Sequence, residues 1–386
     1  MKRLTAFVAV GLATAAVTSG VAFAEPSPPG GGELRPGEAY AGAGDPHPSG
    51  GGVGAARVPA GLKGVDVSSH QMDKVNWPAL RQSGVRYAFV KATESADTSA
   101  KPEQGYVNPY FAGQYGGARK VGMIRGAYHF AQPHESGGLR QADYFINHGG
   151  GWTQDGWTLP GVLDIENNPY GHINGLNQCY NLTKTQSVNW IRAFVDRYRQ
   201  RTGRYPIIYT TTNWWKTCTG NNAGFGQSPL WLANYGPTPG PLPAGWRSHT
   251  FWQYTQNPEG SPLGNPNVLN GTLQGLQKLA IQARTSINPV NATPEPVRKG
   301  RPVTVSGKLS FHNGSAWRLL SGHRVSFWFR ASGTSKWVSK GSMLTNANGQ
   351  FRKAFTAQRD GFWRVYYPGA PRYFSTTSAN DYVDVR

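Results

Sequence analysis

The chain has 386 residues, enough for two or three domains of ordinary size. It carries 39 Lys and Arg against 20 Asp and Glu, a formal charge of +19 at pH 7. Such a charge favours polyanionic partners, namely nucleic acid, an anionic membrane surface or an anionic cell wall. The sequence has no recognisable nucleic-acid-binding motif, so we expect no nucleic-acid partner.

The first 24 residues have the features of a secretory signal peptide. Lys2 and Arg3 precede the apolar run AFVAVGLATAAV, and Ala22 to Ala24 form a small-residue cleavage site. The alternative is a membrane anchor, which the short run and its cleavable end disfavour. We therefore expect a secreted, extracellular chain with no stable membrane insertion.

Residues 25–59 are rich in Pro and Gly and contain almost no large apolar side chain. Such a composition buries too little surface to offset the entropy of ordering the chain. The segment is predicted to be a disordered leader. Whether it is only flexible or is a pro-segment stays open.

From residue 60 onwards, short apolar runs alternate with amphipathic stretches. This alternation predicts a parallel sheet with helices outside, and about 220 residues fit a closed barrel of the TIM type. An open doubly wound sheet is the alternative, although no Gly-rich phosphate loop follows the first strand. The predicted strands are 64–69, 85–93, 123–131, 159–167, 205–212, 230–235 and 250–255, and the predicted helices are 77–84, 108–122, 139–150 and 183–203.

Chemistry in such barrels gathers at the carboxyl ends of the strands. Acids and aromatic rings occur together at these ends, and a sugar-cleaving site needs both. The residues in these positions are Asp66, Lys91, Glu94, Tyr128, Asp164, Glu166, Tyr209, Trp231, Tyr235 and Gln253.

The stretch LPGVLDIENN, residues 159–168, ends an apolar run with two acids, Asp164 and Glu166. Residues two apart on a β-strand point to the same face, so both carboxylates leave the strand on one side. A neighbouring like charge raises the pKa of a carboxyl, as a general acid at neutral pH requires. A solvated strand end is the alternative interpretation.

Two cysteines are present, Cys179 and Cys218. A pair in an exported protein is more often bridged than free, so we predict a disulfide, with two buried thiols as the alternative. Neither cysteine has a partner at metal-ligand spacing, and no HExxH pattern occurs, so no metal and no cofactor are expected.

The C-terminal part is a separate all-β unit. After a Pro-containing linker at 284–297, residues 298–386 alternate in polarity and are rich in Val, Phe, Trp and Tyr, which predicts an Ig-like sandwich. Residues 284–386 hold sixteen basic and four acidic residues. Binding to anionic cell-wall polymers is therefore one expectation, and a structural appendage that binds nothing is the other.

Eight motifs in order resemble the Chalaropsis-type lysozymes of glycoside hydrolase family 25. They are GVDVSSHQ, VNW, FVKATES, GAYHF, LDIE, YTTTNWW, LWLANY and FWQYT, and they run from about residue 61 to 283. The resemblance implies a catalytic barrel over 60–283, built as a modified TIM barrel of five β/α units with a β-only tail. It also implies muramidase activity on peptidoglycan, at the β-1,4 bond between N-acetylmuramic acid and N-acetylglucosamine.

The resemblance also implies roles for single residues. Glu166 matches the proton donor, Asp164 its partner in the DxE motif, and Asp66 a further acid of the pocket. Asn265 stands where the family often has an aspartate, so a fourth acid is missing by this comparison. The implied sugar-binding residues are Tyr128, Tyr209, Trp231 and Tyr235, to which the strand-end positions add Lys91, Glu94 and Gln253.

Two questions stay open at the level of sequence. The course of the reaction could be retaining, inverting or assisted by the substrate's N-acetyl group. The alternative function is a non-catalytic wall-binding protein on a degenerate barrel. In either case we expect a monomer.

Overall fold

The computed structural model describes residues 34–44, 58–97, 105–257 and 261–386. The predicted signal peptide, 1–24, lies outside the described residues. Within the described part of the chain, no helix is both long and apolar enough to cross a bilayer.

Eight strands close into a barrel because β1 pairs with β2 on one side and with β9 on the other. The neighbouring strands are parallel except at β9, which runs antiparallel to both β8 and β1. A two-residue strand, β3, adds to the edge of β2. The strands are β1 Leu62–Val67, β2 Tyr87–Glu94, β3 Tyr106–Val107, β4 Ile124–Phe130, β5 Val162–Asp164, β6 Ile207–Thr211, β7 Leu230–Ala233, β8 Phe251–Gln253 and β9 Asn265–Leu269.

Helices follow the earlier strands, and none separates β7, β8 and β9 in the described residues. The longest, α5, begins at a capping box in which Thr183 and Gln186 satisfy each other's backbone amides. It ends at Gly203, which adopts a left-handed conformation. The helices are α1 Trp77–Gln82, α2 Phe111–Lys120, α3 Gly138–Phe145, α4 Gly171–Asn174, α5 Lys184–Thr202, α6 Thr212–Thr219 and α7 Leu273–Ile281, with a 3₁₀ turn at Ser69–Gln71 and a π turn at Ile146–Gly150.

The barrel confirms the α/β prediction, but the predicted set of seven strands omits β9. This strand begins Asn-Pro-Asn, and both residue types are poor strand formers. It is nevertheless the strand that closes the barrel, and the closure excludes the open doubly wound sheet.

Aromatic rings fill the barrel interior. Phe89 and Trp231 stack with their centroids 4.4 Å apart, and Tyr209 meets Trp231 edge-on at 4.7 Å. Leu276 and Ala280 of α7 join the same cluster. Because α7 covers the amino-terminal end of the strands, the opening lies at their carboxyl ends.

The C-terminal part consists of two antiparallel sheets whose inner residues form one hydrophobic cluster. Val303 and Phe351 come from one sheet, and Phe327 and Trp363 come from the other. One sheet contains β10 Thr285–Thr293, β11 Pro302–His312, β12 Trp317–Leu319 and β15 Gln350–Thr356, and the other contains β13 Arg324–Ala331, β14 Val338–Leu344, β16 Gly361–Tyr367, β17 Thr376–Thr377 and β18 Asp381–Val383.

The stretch predicted as a linker, 284–297, differs from that prediction. It contains β10, which pairs with β11 over most of its length. Ile287, Ala292 and Val297 are buried in the common cluster of the two sheets. The prolines around residue 294 suggest a boundary in sequence, but they lie at the end of this edge strand, where a missing amide donor is tolerated.

Barrel and C-terminal sheets meet near Arg204, which follows α5. The Arg204 guanidinium lies over the Trp152 ring at 4.7 Å and over the Phe374 ring at 5.3 Å, and it donates to the Gln282 carbonyl. Helix α5 runs back from the carboxyl end of β5, so this contact lies on the face of the barrel away from the opening. The C-terminal sheets therefore leave the opening uncovered.

The Cys179–Cys218 disulfide is present and joins the loop before α5 to α6. It closes a loop with a sequence separation of 39.

Replacing both cysteines with Ala should lower the free energy of unfolding by about 3–4 kcal/mol, because the unfolded chain regains the entropy of that loop. Urea denaturation of the double variant measures this. A loss below about 1 kcal/mol would mean that the bridge does little for stability.

Candidate active site

The alternation of side chains on β5 separates its acids from its apolar residues. Leu163 and Ile165 pack outwards against α5, whereas Val162 faces the barrel interior. Asp164 and Glu166 therefore share the inner face at the carboxyl end of the strand. Both are fully buried.

Asp66 joins them from β1, almost a hundred residues earlier in the chain. Its carboxylate accepts three hydrogen bonds from amide side chains. Gln253 Nε2 lies 2.8 Å from Oδ2, Asn267 Nδ2 lies 2.7 Å from Oδ2, and Asn265 Nδ2 lies 3.2 Å from Oδ1. The donors come from β8 and β9, so the strand that sequence analysis missed supplies two of the three.

Burial has the largest effect on the pKa of Asp66. Desolvation raises its pKa from 3.8 to about 7, and the amides of Gln253, Asn267 and Asn265 oppose that rise because they stabilise the charged form. Asn265 thus places an uncharged donor where the sequence resemblance led us to look for a fourth acid. The pocket gains a hydrogen bond to Asp66 there instead of a further like charge.

Lys91 and Glu94 form a buried ion pair at the end of β2, with Nζ 2.6 Å from Oε2. Glu94 Oε1 also accepts from the Tyr170 hydroxyl at 2.7 Å and from Gln132 Nε2 at 3.1 Å. Burial lowers the pKa of Lys91, and Glu94 counteracts that change. Lys91 and Glu94, both predicted from their strand-end positions to bind sugar, are therefore paired with each other in the structure.

The predicted aromatic residues take two kinds of position. Tyr128, Tyr209 and Trp231 are fully buried in the barrel interior, and Trp231 Nε1 donates to Asn267 Oδ1 at 2.7 Å. Tyr235 is half-buried at the opening, and its hydroxyl donates to Gln253 Oε1 at 2.8 Å. Tyr209 donates to the same oxygen, also at 2.8 Å. Gln253 thus accepts hydrogen bonds from two tyrosine hydroxyls at Oε1 and donates one from Nε2 to Asp66.

Several residues of this network carry no signal in the sequence. Tyr170 and Gln132 lie in loops, and only the fold brings them to Glu94. Asn267 alternates with Asn265 on β9, so it could have been found had the strand been recognised.

His129 faces outwards, between Thr93 and Gln141, and burial lowers its pKa to about 3, which keeps the ring neutral.

The opening holds a further part of the chain. Residues 34–44 lie across it, and the backbone amide of Gly42 donates to Glu166 Oε1 at 2.9 Å. Gln253 Nε2 donates to the Ala41 carbonyl at 3.1 Å. These residues belong to the stretch predicted as a disordered leader, and in the structure they form two turns against the barrel.

Among the described residues, no group of three His, Cys, Asp or Glu side chains is arranged to hold a metal ion. The chemistry that this opening supports directly is proton transfer and charge stabilisation by carboxylates. Several acids in one buried opening, with amides and tyrosines to position them, suit the cleavage of a glycosidic bond.

Comparison with known proteins agrees with this chemistry. A family model for glycosyl hydrolases family 25 matches residues 65–261. Lysozyme M1 of Streptomyces globisporus is 41% identical over 264 residues, 66% of this chain and 85% of that protein. An N,O-diacetylmuramidase of Chalaropsis sp is 45% identical over 226 residues, 57% of this chain and 99% of that protein. The solved structure of a bacterial lysozyme from Streptomyces coelicolor is 43% identical, with a TM-score of 0.52, over 57% of this chain and 97% of that chain.

The chain therefore belongs to glycosyl hydrolase family 25, as its motifs predict. Within that family it is a peptidoglycan hydrolase of the lysozyme, or muramidase, type. The prediction of an enzyme is confirmed at this level.

The raised pKa of Asp66 makes stability depend on pH. Between pH 3.8 and about 7 the folded state keeps a proton that the unfolded state has lost, so this residue's contribution to stability falls as pH rises through that window. The Asp66→Asn variant lacks the effect. Its stability relative to wild type should rise from pH 4 to pH 8 by up to about 4 kcal/mol.

Denaturant unfolding of both chains at several pH values tests this. The exposed Asp73, changed to Asn, removes the same charge from the surface and should show no such trend. A stability difference for Asp66→Asn that does not vary with pH would contradict the assigned protonation.

Proposed function

We propose that Glu166 is the general acid of the muramidase reaction and that Asp164 stabilises positive charge developing on the sugar. The observation that carries this proposal is the hydrogen bond from Gly42 to Glu166 Oε1 at 2.9 Å, because it shows that a group entering the opening can reach that oxygen. A glycosidic oxygen in the same position would receive a proton from Glu166. Asp164, on the same strand face, would lie beside the sugar ring.

Asp66 then acts as a further acid whose charge is governed by burial and by its three amide donors. We infer that Tyr235, half-buried at the opening, contacts the glycan directly. The deeper part of the site is lined by Tyr128, Tyr209, Trp231 and Gln253. The Lys91–Glu94 ion pair lies at its edge and stabilises it. The stereochemical course depends on how Asp164 engages the N-acetyl group.

The names of two relatives support a proposal about the substrate. Two proteins that are 45% and 40% identical to this chain are named N,O-diacetylmuramidase. We propose that this chain cleaves the N-acetylmuramic acid β-1,4 bond and accepts O-acetylated muramic acid. The predicted signal peptide supports secretion to the cell wall, where the protein would act as a monomer.

Replacing Glu166 with Gln keeps the size of the side chain but removes its transferable proton. Clearing of a peptidoglycan suspension should fall about 10²–10⁴-fold, since that is the usual contribution of a general acid. Glu295→Gln, at an exposed position, is the matched control and should leave the rate unchanged. Equal clearing by wild type and Glu166→Gln would contradict the role of Glu166. Binding of the wild type to walls without any clearing would favour the alternative of a non-catalytic wall-binding protein.

We also propose that the C-terminal sheets form an Ig-like sandwich that binds anionic wall polymers. A cavity of about 560 Å³ lies at one end of the two sheets. Phe329, Phe355 and Trp363 line it, and so do the exposed side chains of Lys336, Lys340 and Arg359. Cations around an aromatic pocket suit a polymer that carries phosphate on a sugar or polyol backbone.

Changing Lys336, Lys340 and Arg359 together to Ser should weaken binding to whole walls at least tenfold. The control changes three exposed cations elsewhere on the same unit, Lys308, Arg318 and Arg352, to Ser, which removes the same charge. Pelleting with purified walls at several salt concentrations measures both. If the two triple variants lose the same affinity, net charge rather than the cavity governs binding.

A further inference from the structure

Residues 34–44 fill the opening of the barrel through small residues. Two turns shape the segment, with Glu38 N donating to the Arg35 carbonyl at 2.9 Å and Ala43 N donating to the Tyr40 carbonyl at 2.8 Å. Ala39 and Ala41 are fully buried. Ala41 belongs to the cluster of the barrel interior, while Ala39 belongs to a small cluster with Phe130 and Tyr170.

The backbone of the segment is bound by polar groups of the site. Its amides at Gly37, Ala39 and Gly42 donate to Glu94, Tyr170 and Glu166, at 3.3, 2.8 and 2.9 Å. Its carbonyls accept from Lys91, Gln253 and the ring of His70. These acceptors are Gly37 O and Ala39 O for Lys91, Ala41 O for Gln253, and Glu38 O for His70.

The segment thus occupies the positions that a glycan needs. Glu166 and Gln253, which the reaction uses, each contact it directly. A sugar at the same place would have to displace both the buried alanines and these hydrogen bonds. Because buried polar groups such as those of Lys91, Gln253 and Glu166 have hydrogen-bond partners in the segment, the closed arrangement offsets part of the cost of their desolvation.

We propose that residues 34–44 are an intramolecular inhibitor of this hydrolase: the segment closes the catalytic opening, and the enzyme acts on glycan only when the segment leaves. The inference rests on the proposed role of the opening in hydrolysis. It gives the Pro- and Gly-rich leader the function of a pro-segment, one of the two possibilities that its composition leaves open.

Glycine is required at two positions for this fit. At Gly42, φ is +98°, and a Cβ atom would lie 1.7 Å from Gln256 Nε2 and 2.3 Å from the Tyr235 hydroxyl oxygen. At Gly44, a Cβ atom would lie 1.9 Å from the Asn167 carbonyl oxygen. Larger side chains at these two positions should therefore push the segment out without altering the barrel.

The test compares KM and kcat on soluble glycan fragments for four forms of the whole chain. They are wild type, Gly42→Val with Gly44→Val, a chain whose residues 34–44 are replaced by eleven Gly and Ser residues, and Arg35→Ser as control. Arg35 is exposed, so its change should leave the segment bound. Calorimetry on each form confirms that the barrel is folded.

A closed segment lowers the fraction of enzyme that can bind, which raises KM by the inverse of that fraction and leaves kcat nearly unchanged. We expect KM to fall at least tenfold in the double glycine variant and in the Gly/Ser chain, and to stay within twofold of wild type in Arg35→Ser. A KM in the Gly/Ser chain within twofold of the wild-type value would overturn this inference but leave the proposed function standing. Inactivity of both the wild type and the folded Gly/Ser chain would overturn the proposed function and this inference with it.

Discussion

Three amide side chains hold the carboxylate of Asp66 inside the barrel, and much of the site is arranged around that contact. Gln253, Asn265 and Asn267 bring it three donors from two other strands, and two tyrosine hydroxyls fix Gln253 in turn. Desolvation is nevertheless the larger effect, so the pKa of Asp66 lies near neutrality. The three amides stabilise the charged form of Asp66 without adding a further charge to a site that also holds Asp164 and Glu166. Closure of the barrel by β9 is what makes the arrangement possible.

The same arrangement explains how the chain can carry its own segment in the opening. Amides and carboxylates that are ready to bind a polar sugar can also bind polypeptide backbone, which offers donors and acceptors at similar distances. Small residues at 39, 41, 42 and 44 let that backbone approach closely. An opening built for hydrogen bonding to a polar ligand can therefore be closed by a segment that is held largely through its backbone and small side chains.

The catalytic part of the fold could be predicted from the sequence because its signals are local. Alternation on β5 assigns Asp164 and Glu166 to one face, and the apolar runs predict the parallel strands. The contacts of Tyr170 and Gln132 with Glu94 could not be predicted, since loop positions reveal no partner before folding. Strand β9 was not predicted because Pro and Asn are poor strand formers, and its position is set by closure of the barrel.

The leader and the predicted linker show the limit of arguments from composition. The leader was predicted to be disordered because it could bury little apolar surface, and the linker was predicted from its prolines. Residues 34–44 are held instead by backbone hydrogen bonds and fully buried alanines, and 285–293 is held by pairing along β11. Backbone pairing of this kind depends on a complementary surface elsewhere in the chain, which no local pattern reveals.

Hydrolysis of the glycan strand at muramic acid is the reaction that we propose for this opening. Mass spectrometry of the fragments released from a defined peptidoglycan tests it most directly. Cleavage at muramic acid should release fragments with N-acetylmuramic acid at the new reducing end. Fragments that end in N-acetylglucosamine, or cuts confined to the peptide, would contradict it.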